Sequence, residues 1–216
     1  MQMKRNFSLP LLVGWIAYSS DTMLPFAVRL QSNLPRKLTS AIGMYSSFIP
    51  QESTKYTKSY QLSGFGKGNR VEITTNTGHA LTTDIPKKMG GTDSGPQPVE
   101  TLIAAWMGCT QATAVFVGRH LPQRVVIDTL EFENIQGFRD ERGALQLPIE
   151  KIPDVPSRLT RITGTIHVYA RNTQPISSDQ LHLLRAQTEI RCPVANMLVA
   201  SGCTVDVEWL IGSRKT

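Results

Sequence analysis

The chain is short of cysteine, short of aromatic side chains and, over its first quarter, almost without acids. Three cysteines in 216 residues cannot all pair within one chain, and they fall far below the density of a disulfide-stapled secreted domain. A reducing compartment fits them, as does a single redox-active pair with one spare thiol. The four histidines, His79, His120, His167 and His182, are widely separated, and no Cys/His spacing resembles a zinc site, so neither a metal nor another cofactor is expected. No stretch reads as the roughly 18 apolar residues that span a bilayer, and no membrane association is expected. Lysine and arginine do not cluster with aromatics outside the first 51 residues, which argues against a nucleic-acid face.

The net charge of +6 is unevenly spread. Residues 1–51 hold five bases (Lys4, Arg5, Arg29, Arg36, Lys37) against the single acid Asp21, and seven serines. That composition suits an organellar leader, with mitochondrial targeting as the expected localisation. Two other readings stand beside it. The segment is either an uncleaved structural extension or a secretory signal built on Lys4-Arg5 and the apolar run from Leu9, although Pro10 interrupts that run.

Residues 56–212 read as one α+β domain. Residues 60–65, 71–77 and 79–85 carry Thr, Tyr, Val and Ile between glycines and the turn Asn76-Thr77-Gly78, the pattern of short strands joined by hairpins. Residues 125–138 and 159–170 alternate apolar and polar side chains as longer strands, with the proline-containing stretch 140–156 between them as a hairpin insertion or long loop. Ser177 caps a helix over 178–191, Pro193 opens another that ends at Gly202, and residues 203–211 close the domain as a strand. The centre is the stretch Gly90 to His120. A Gly/Pro-rich loop gives way at Pro98 to a run that is apolar on every side of a helical wheel, the mark of a buried helix.

Cys109 lies in the middle of that helix, where a thiol is either inert packing or a protected nucleophile. Cys192 precedes Pro193 at a helix start. There the unpaired N–H groups and the dipole favour a thiolate, so this thiol is expected to be partly ionised. Cys203 begins the last strand and reads as structural.

Taken together, Gly95-Pro96-Gln97-Pro98-Val99-Glu100-Thr101-Leu102-Ile103-Ala104-Ala105 leading to Gly108-Cys109-Thr110, then Cys192-Pro193-Val194-Ala195-Asn196, in this order of strands and helices, resemble the OsmC/Ohr family of osmotically inducible and organic hydroperoxide resistance proteins. The likeness covers roughly residues 60–212. It implies an OsmC-like fold, a mainly antiparallel sheet packed on a long buried helix, and an intertwined homodimer. It also implies a thiol peroxidase in which Cys109 attacks an organic hydroperoxide, Cys192 resolves the sulfenic acid as a disulfide, and a dithiol reductant restores both. Active members usually place a glutamate ten residues before the first cysteine, cooperating with an arginine from the early strands. Here that position is Val99 and the carboxylate is Glu100, while Arg70 is the one arginine between Pro50 and Glu100. Nine residues of ideal helix amount to about 900°, which turns Glu100 away from Cys109. An irregular first turn would bring the carboxylate back, and on that reading Glu100 and Arg70 complete the candidate catalytic set. The alternative function is a non-catalytic subunit of a mitochondrial assembly such as the mitochondrial ribosome, with the leader as a docking arm.

Overall fold

The computed structural model describes residues 55–172 and 175–213; the basic segment 1–51 lies outside them. Everything that follows concerns the unit Tyr60–Thr216.

Three short strands come first: β1 (Leu62–Lys67), β2 (Arg70–Thr75) and β3 (Ala80–Thr83). They form an antiparallel meander in that order. The turn after β1 uses Gly68 and the turn after β2 uses Gly78, both at positive φ, where a side chain would be strained. The sheet is largely uncovered, with Leu62 56% and Phe65 69% exposed. A one-turn 3-10 helix, Lys87–Met89, and a loop then lead to α1 (Pro98–His120).

The rest of the unit is built around α1. Strand β4 (Ile127–Arg139), the one-turn helix α2 (Arg142–Leu145) and strand β5 (Leu159–Ala170) follow, then helices α3 (Ser178–Arg191) and α4 (Pro193–Ala200), and finally β6 (Thr204–Ile211). β4 pairs antiparallel with β5, and β5 pairs parallel with β6. A parallel pair needs a crossover, and α3 with α4 supply it. The strands therefore form two three-stranded sheets rather than one continuous sheet. The stretch expected to be a loop, 140–156, contains α2, whose backbone turn is stabilised by Asp140: its carboxylate accepts from the Arg142 N–H at 2.9 Å and from the Arg142 guanidinium.

The core gathers Ile162, Ile166 and Val168 of β5, Val207 and Trp209 of β6, and Leu181 and Leu184 of α3 around one face of α1. That face is Trp106, Thr110, Ala114 and Val117, spaced by three and four residues as a helix face must be. The expectation of a helix buried on all sides is thus met on one side only within the single chain. Leu102 is 42% and Phe116 57% exposed on the other. By length and composition α1 would also suffice to cross a membrane, which corrects the view that no segment is long and apolar enough. Here β4, α3 and α4 pack against it instead.

Candidate functional site

Proline dictates the geometry of the second cysteine. A residue before proline is pushed out of the helical region, and Cys192 sits at φ −78°, ψ 110°. It thereby ends α3 and begins α4 at once: its N–H donates to the Thr188 carbonyl at 2.9 Å, and its sulfur accepts from the Ala195 N–H at 3.4 Å. Asn196 closes the junction by donating to the carbonyls of Glu189, Ile190 and Cys192 at 3.2, 2.9 and 2.8 Å. Carbonyls at the end of α3 that the helix itself leaves unpaired are satisfied in this way.

The kink aims Cys192 at the middle of α1. The Cys192 thiol donates to the Cys109 sulfur at 2.9 Å, and both cysteines are free thiols. Cys192 is fully buried and Cys109 half-buried, so Cys109 is the outward member of the pair. Burial pushes the Cys192 thiol above its ordinary range, and the neighbouring Cys109 sulfur adds to the effect. The Ala195 N–H and the Thr110 hydroxyl oppose it without prevailing. The expectation of a partly ionised Cys192 is therefore corrected. One N–H at the start of an eight-residue helix does not offset complete desolvation, and Cys192 is a protonated thiol at neutral pH. Cys203, also buried, donates to the Thr204 carbonyl at 3.7 Å.

The structure brings Cys109 and Cys192 together but gives Glu100 and Arg70 other partners. Glu100 accepts from the Gln97 N–H at 2.8 Å and from the Gln97 side chain at 3.2 Å, closing the first turn of α1 as a capping box. Arg70 pairs with Glu72 at 2.6 Å on the exposed face of β2. Among the described residues no group of three or more His, Cys, Asp or Glu is placed to hold a metal.

Three further residues shape the site. Thr110, beside Cys109, is buried and turns its hydroxyl to the Cys192 sulfur. Gln111 and Thr113 follow it in the same helix, so nothing in the sequence singles Thr110 out. Thr188, one helical turn before Cys192, is buried without a hydrogen-bond partner for its hydroxyl among the described residues. Asp84 is buried at the end of β3 and anchors the loop into α1. Its carboxylate accepts from the Thr92 hydroxyl at 2.5 Å, the Ile85 N–H at 2.8 Å, the Thr92 N–H at 3.0 Å and both donors of Ser94 at 3.0 and 3.1 Å. The Thr92 hydroxyl above all holds this carboxyl far below the usual carboxylate range. Asp84-x7-Thr92-x-Ser94 has no periodicity by which the sequence could have announced it.

No curated protein matches the chain, but solved structures do. An OsmC-like protein from Mycoplasma pneumoniae superposes with a TM-score of 0.54 at 20% identity, over 72% of this chain and 99% of its own. An OsmC-like protein of unknown function from Vibrio cholerae gives 0.54 at 13% identity, over 72% and 100%. An organic hydroperoxide resistance protein OsmC from Legionella pneumophila gives 0.50 at 13%, over 71% and 98%. At such identities the likeness establishes the fold alone. The family model for OsmC-like protein matches residues 91–208, more than half of the chain, and that stretch contains both cysteines and every element packed against α1: by sequence and by fold, this chain belongs to the OsmC family.

Proposed function

We propose that the chain reduces organic hydroperoxides through a two-cysteine cycle. The observation that carries this reading is the 2.9 Å approach of Cys109 and Cys192, an outward sulfur on a rigid helix backed by a buried thiol. The Cys109 thiolate attacks the outer oxygen of the hydroperoxide and the O–O bond breaks. An alcohol leaves after taking up a proton, and Cys109 becomes a sulfenic acid. Cys192, which burial keeps protonated, then attacks the Cys109 sulfur. The hydroxyl leaves as water with the Cys192 proton, and a disulfide remains. A dithiol reductant returns two electrons and two protons. Apolar surroundings suit an organic rather than a hydrophilic peroxide.

The exposed apolar face of α1 and the uncovered β1–β3 sheet support a homodimer as the working form, since a soluble protein seldom leaves such patches bare. The composition of residues 1–51 supports delivery to mitochondria. A non-catalytic role in a mitochondrial assembly is the second reading. It is favoured by one observation: Glu100 and Arg70 are engaged with Gln97 and Glu72 rather than with the thiols.

Consumption of cumene hydroperoxide by the full chain with a dithiol reductant tests the first reading. Cys109→Ser should lose all activity, Cys192→Ser should stop at a dimedone-trappable sulfenic acid on Cys109, and Cys203→Ser should match the parent. Should the parent consume no more peroxide than Cys109→Ser, the second reading takes its place. Intact mass and co-purifying partners of the protein from its native source then become the measurement.

A further inference from the structure

The two sulfurs meet at a kink, and the cause of the kink leaves one backbone group without its usual partner. In a continuous helix the N–H of residue 193 would donate to the Glu189 carbonyl, four residues back. Pro193 has no N–H, and its ring presses on that same carbonyl, so the chain divides into α3 and α4 at Cys192. Such a break fixes where helical bonding stops but not the angle between the two helices. The angle matters because Cys192 is the vertex. α3 and α4 both pack on α1, and the vertex turns the Cys192 thiol to Cys109.

The side chain of Asn196, on the first turn of α4, spans the kink. Its amide donates to the Glu189 carbonyl that Pro193 leaves unserved, at 3.2 Å, to the Ile190 carbonyl at 2.9 Å and to the Cys192 carbonyl at 2.8 Å. Two amide hydrogens thus serve three acceptors, two of them on α3 and one at the vertex. Asn196 is itself exposed, so water would satisfy these carbonyls nearly as well as the amide does. A tether between the helices is what water does not supply.

We propose that Asn196 is the positioning residue of the Cys192 thiol: it stands in for the N–H that Pro193 lacks and locks the α3–α4 angle at which Cys192 faces Cys109. The tolerance is narrow. The sulfurs stand 2.9 Å apart, and a disulfide needs about 2.05 Å with a restricted dihedral. A change of angle that carried the Cys192 sulfur off by an ångström or two would take the pair out of reach. The inference deepens the two-cysteine reading, in which bond formation between these sulfurs is the resolving step, but it concerns the pair alone and is tested without peroxide.

The full chain is equilibrated with oxidised and reduced dithiothreitol. The oxidised reagent takes two electrons and two protons from Cys109 and Cys192, the protein disulfide forms, and reduced dithiothreitol is released. The equilibrium constant reads how well the fold holds the two sulfurs together. Asn196→Ala should lower it by at least about fivefold, the worth of one net hydrogen bond. Without the tether the reduced form relaxes to other angles, whereas the oxidised form is held at the original one. Asn196→Asp, which keeps the shape but replaces the donors with an acceptor, should lower it as much or more. Met197→Ala, at a neighbouring position that is 72% exposed, should leave it unchanged. Melting of both redox forms of each variant separates positioning from plain support. A residue that merely caps the junction lowers both melting temperatures equally and leaves the exchange constant where it was. That result, or a fall that Met197→Ala reproduces, would overturn the assignment. A parent that consumes no hydroperoxide, with an exchange constant that still falls fivefold in Asn196→Ala, would overturn the peroxidase reading and support this one.

Discussion

Oxidation of the Cys109–Cys192 pair should stabilise the domain markedly, whatever its biological role. The two sulfurs are 83 positions apart in the chain and 2.9 Å apart in space. A disulfide here would therefore close a long loop in the unfolded chain while asking the folded state to move each sulfur by less than an ångström. Loop-closure entropy for about 83 residues amounts to some 15 cal/mol/K, or about 4.5 kcal/mol at 25 °C. That is the ceiling, from which any strain of forming the bond at the kinked Cys192 is subtracted. In a domain of this size a stabilisation of that order raises the melting temperature by roughly 10 °C. The measurement compares melting of the full chain in excess dithiothreitol with melting after treatment with diamide, which removes two electrons and two protons from the pair. Peptide mapping identifies the bond formed, and Cys203→Ser is expected to behave identically. Equal melting temperatures with the Cys109–Cys192 bond in place would refute the reasoning, because closing the bond would then distort α1 or α4 as much as it restrains the unfolded chain. A mapped bond between Cys192 and Cys203 would refute the geometry itself.

Two other predictions concern the loop that feeds α1. Because hydrogen bonds depress the Asp84 pKa in the folded state, its contribution to stability is present above the unfolded carboxyl value of about 3.9 and is lost as pH falls below it. Asp84→Asn should lower stability at pH 7 and flatten the acid limb of a pH series of urea midpoints; an unchanged acid limb would show that other carboxylates govern it. At Gly91 an added Cβ would lie 1.8 Å from the Ile85 carbonyl oxygen and 2.8 Å from the Asp84 carboxylate. Gly91→Ala should therefore cost at least the 1–3 kcal/mol typical of overpacking, read as a lower urea midpoint, and an unchanged midpoint would mean that the loop has room the structure does not show.

The order of elements was legible in the sequence because each carries a local signal. Strands over 159–170 and 203–211 show period-two alternation, Ser177 supplies a cap whose hydroxyl accepts from the Gln180 N–H at 3.2 Å, and Pro193 punctuates the α3–α4 junction. The pairing of Cys109 with Cys192 was legible only through the family resemblance, since nothing local to either cysteine says which helix it will meet. Two features were read wrongly for reasons that are physical. The N-terminal position of Cys192 was visible but its complete burial was not, and burial decides the protonation state. The all-round apolarity of α1 was visible, but which face its own chain covers depends on β4, β5, α3 and α4 arriving there. Thr188 and Asp84 escaped notice because a polar residue in a helix or loop has no signature until its surroundings are known.

The place of the carboxylate is where the helix decides most sharply. α1 is helical from Pro98 onward, so at 1.5 Å per residue Glu100 stands about 13 Å along the axis from Cys109 as well as about half a turn away from it. A glutamate side chain spans less than half of that rise. Moving the carboxylate to position 99 restores the family's spacing but lengthens the rise to about 15 Å. Spacing along the sequence activates a thiol only where the first turns are unwound, and the Gln97–Glu100 capping box holds them wound. Glu100→Gln, which keeps an acceptor at this position as Gln180 does at the start of α3, should therefore leave both the helix start and the alkylation rate of Cys109 by iodoacetamide nearly unchanged. Val99→Glu should leave that rate unchanged as well, and should itself destabilise the chain, because Val99 is half-buried against the core. A tenfold or greater fall in alkylation for Glu100→Gln at an unchanged melting temperature would overturn this, for it would require the carboxylate to reach a thiol from which the regular helix separates it.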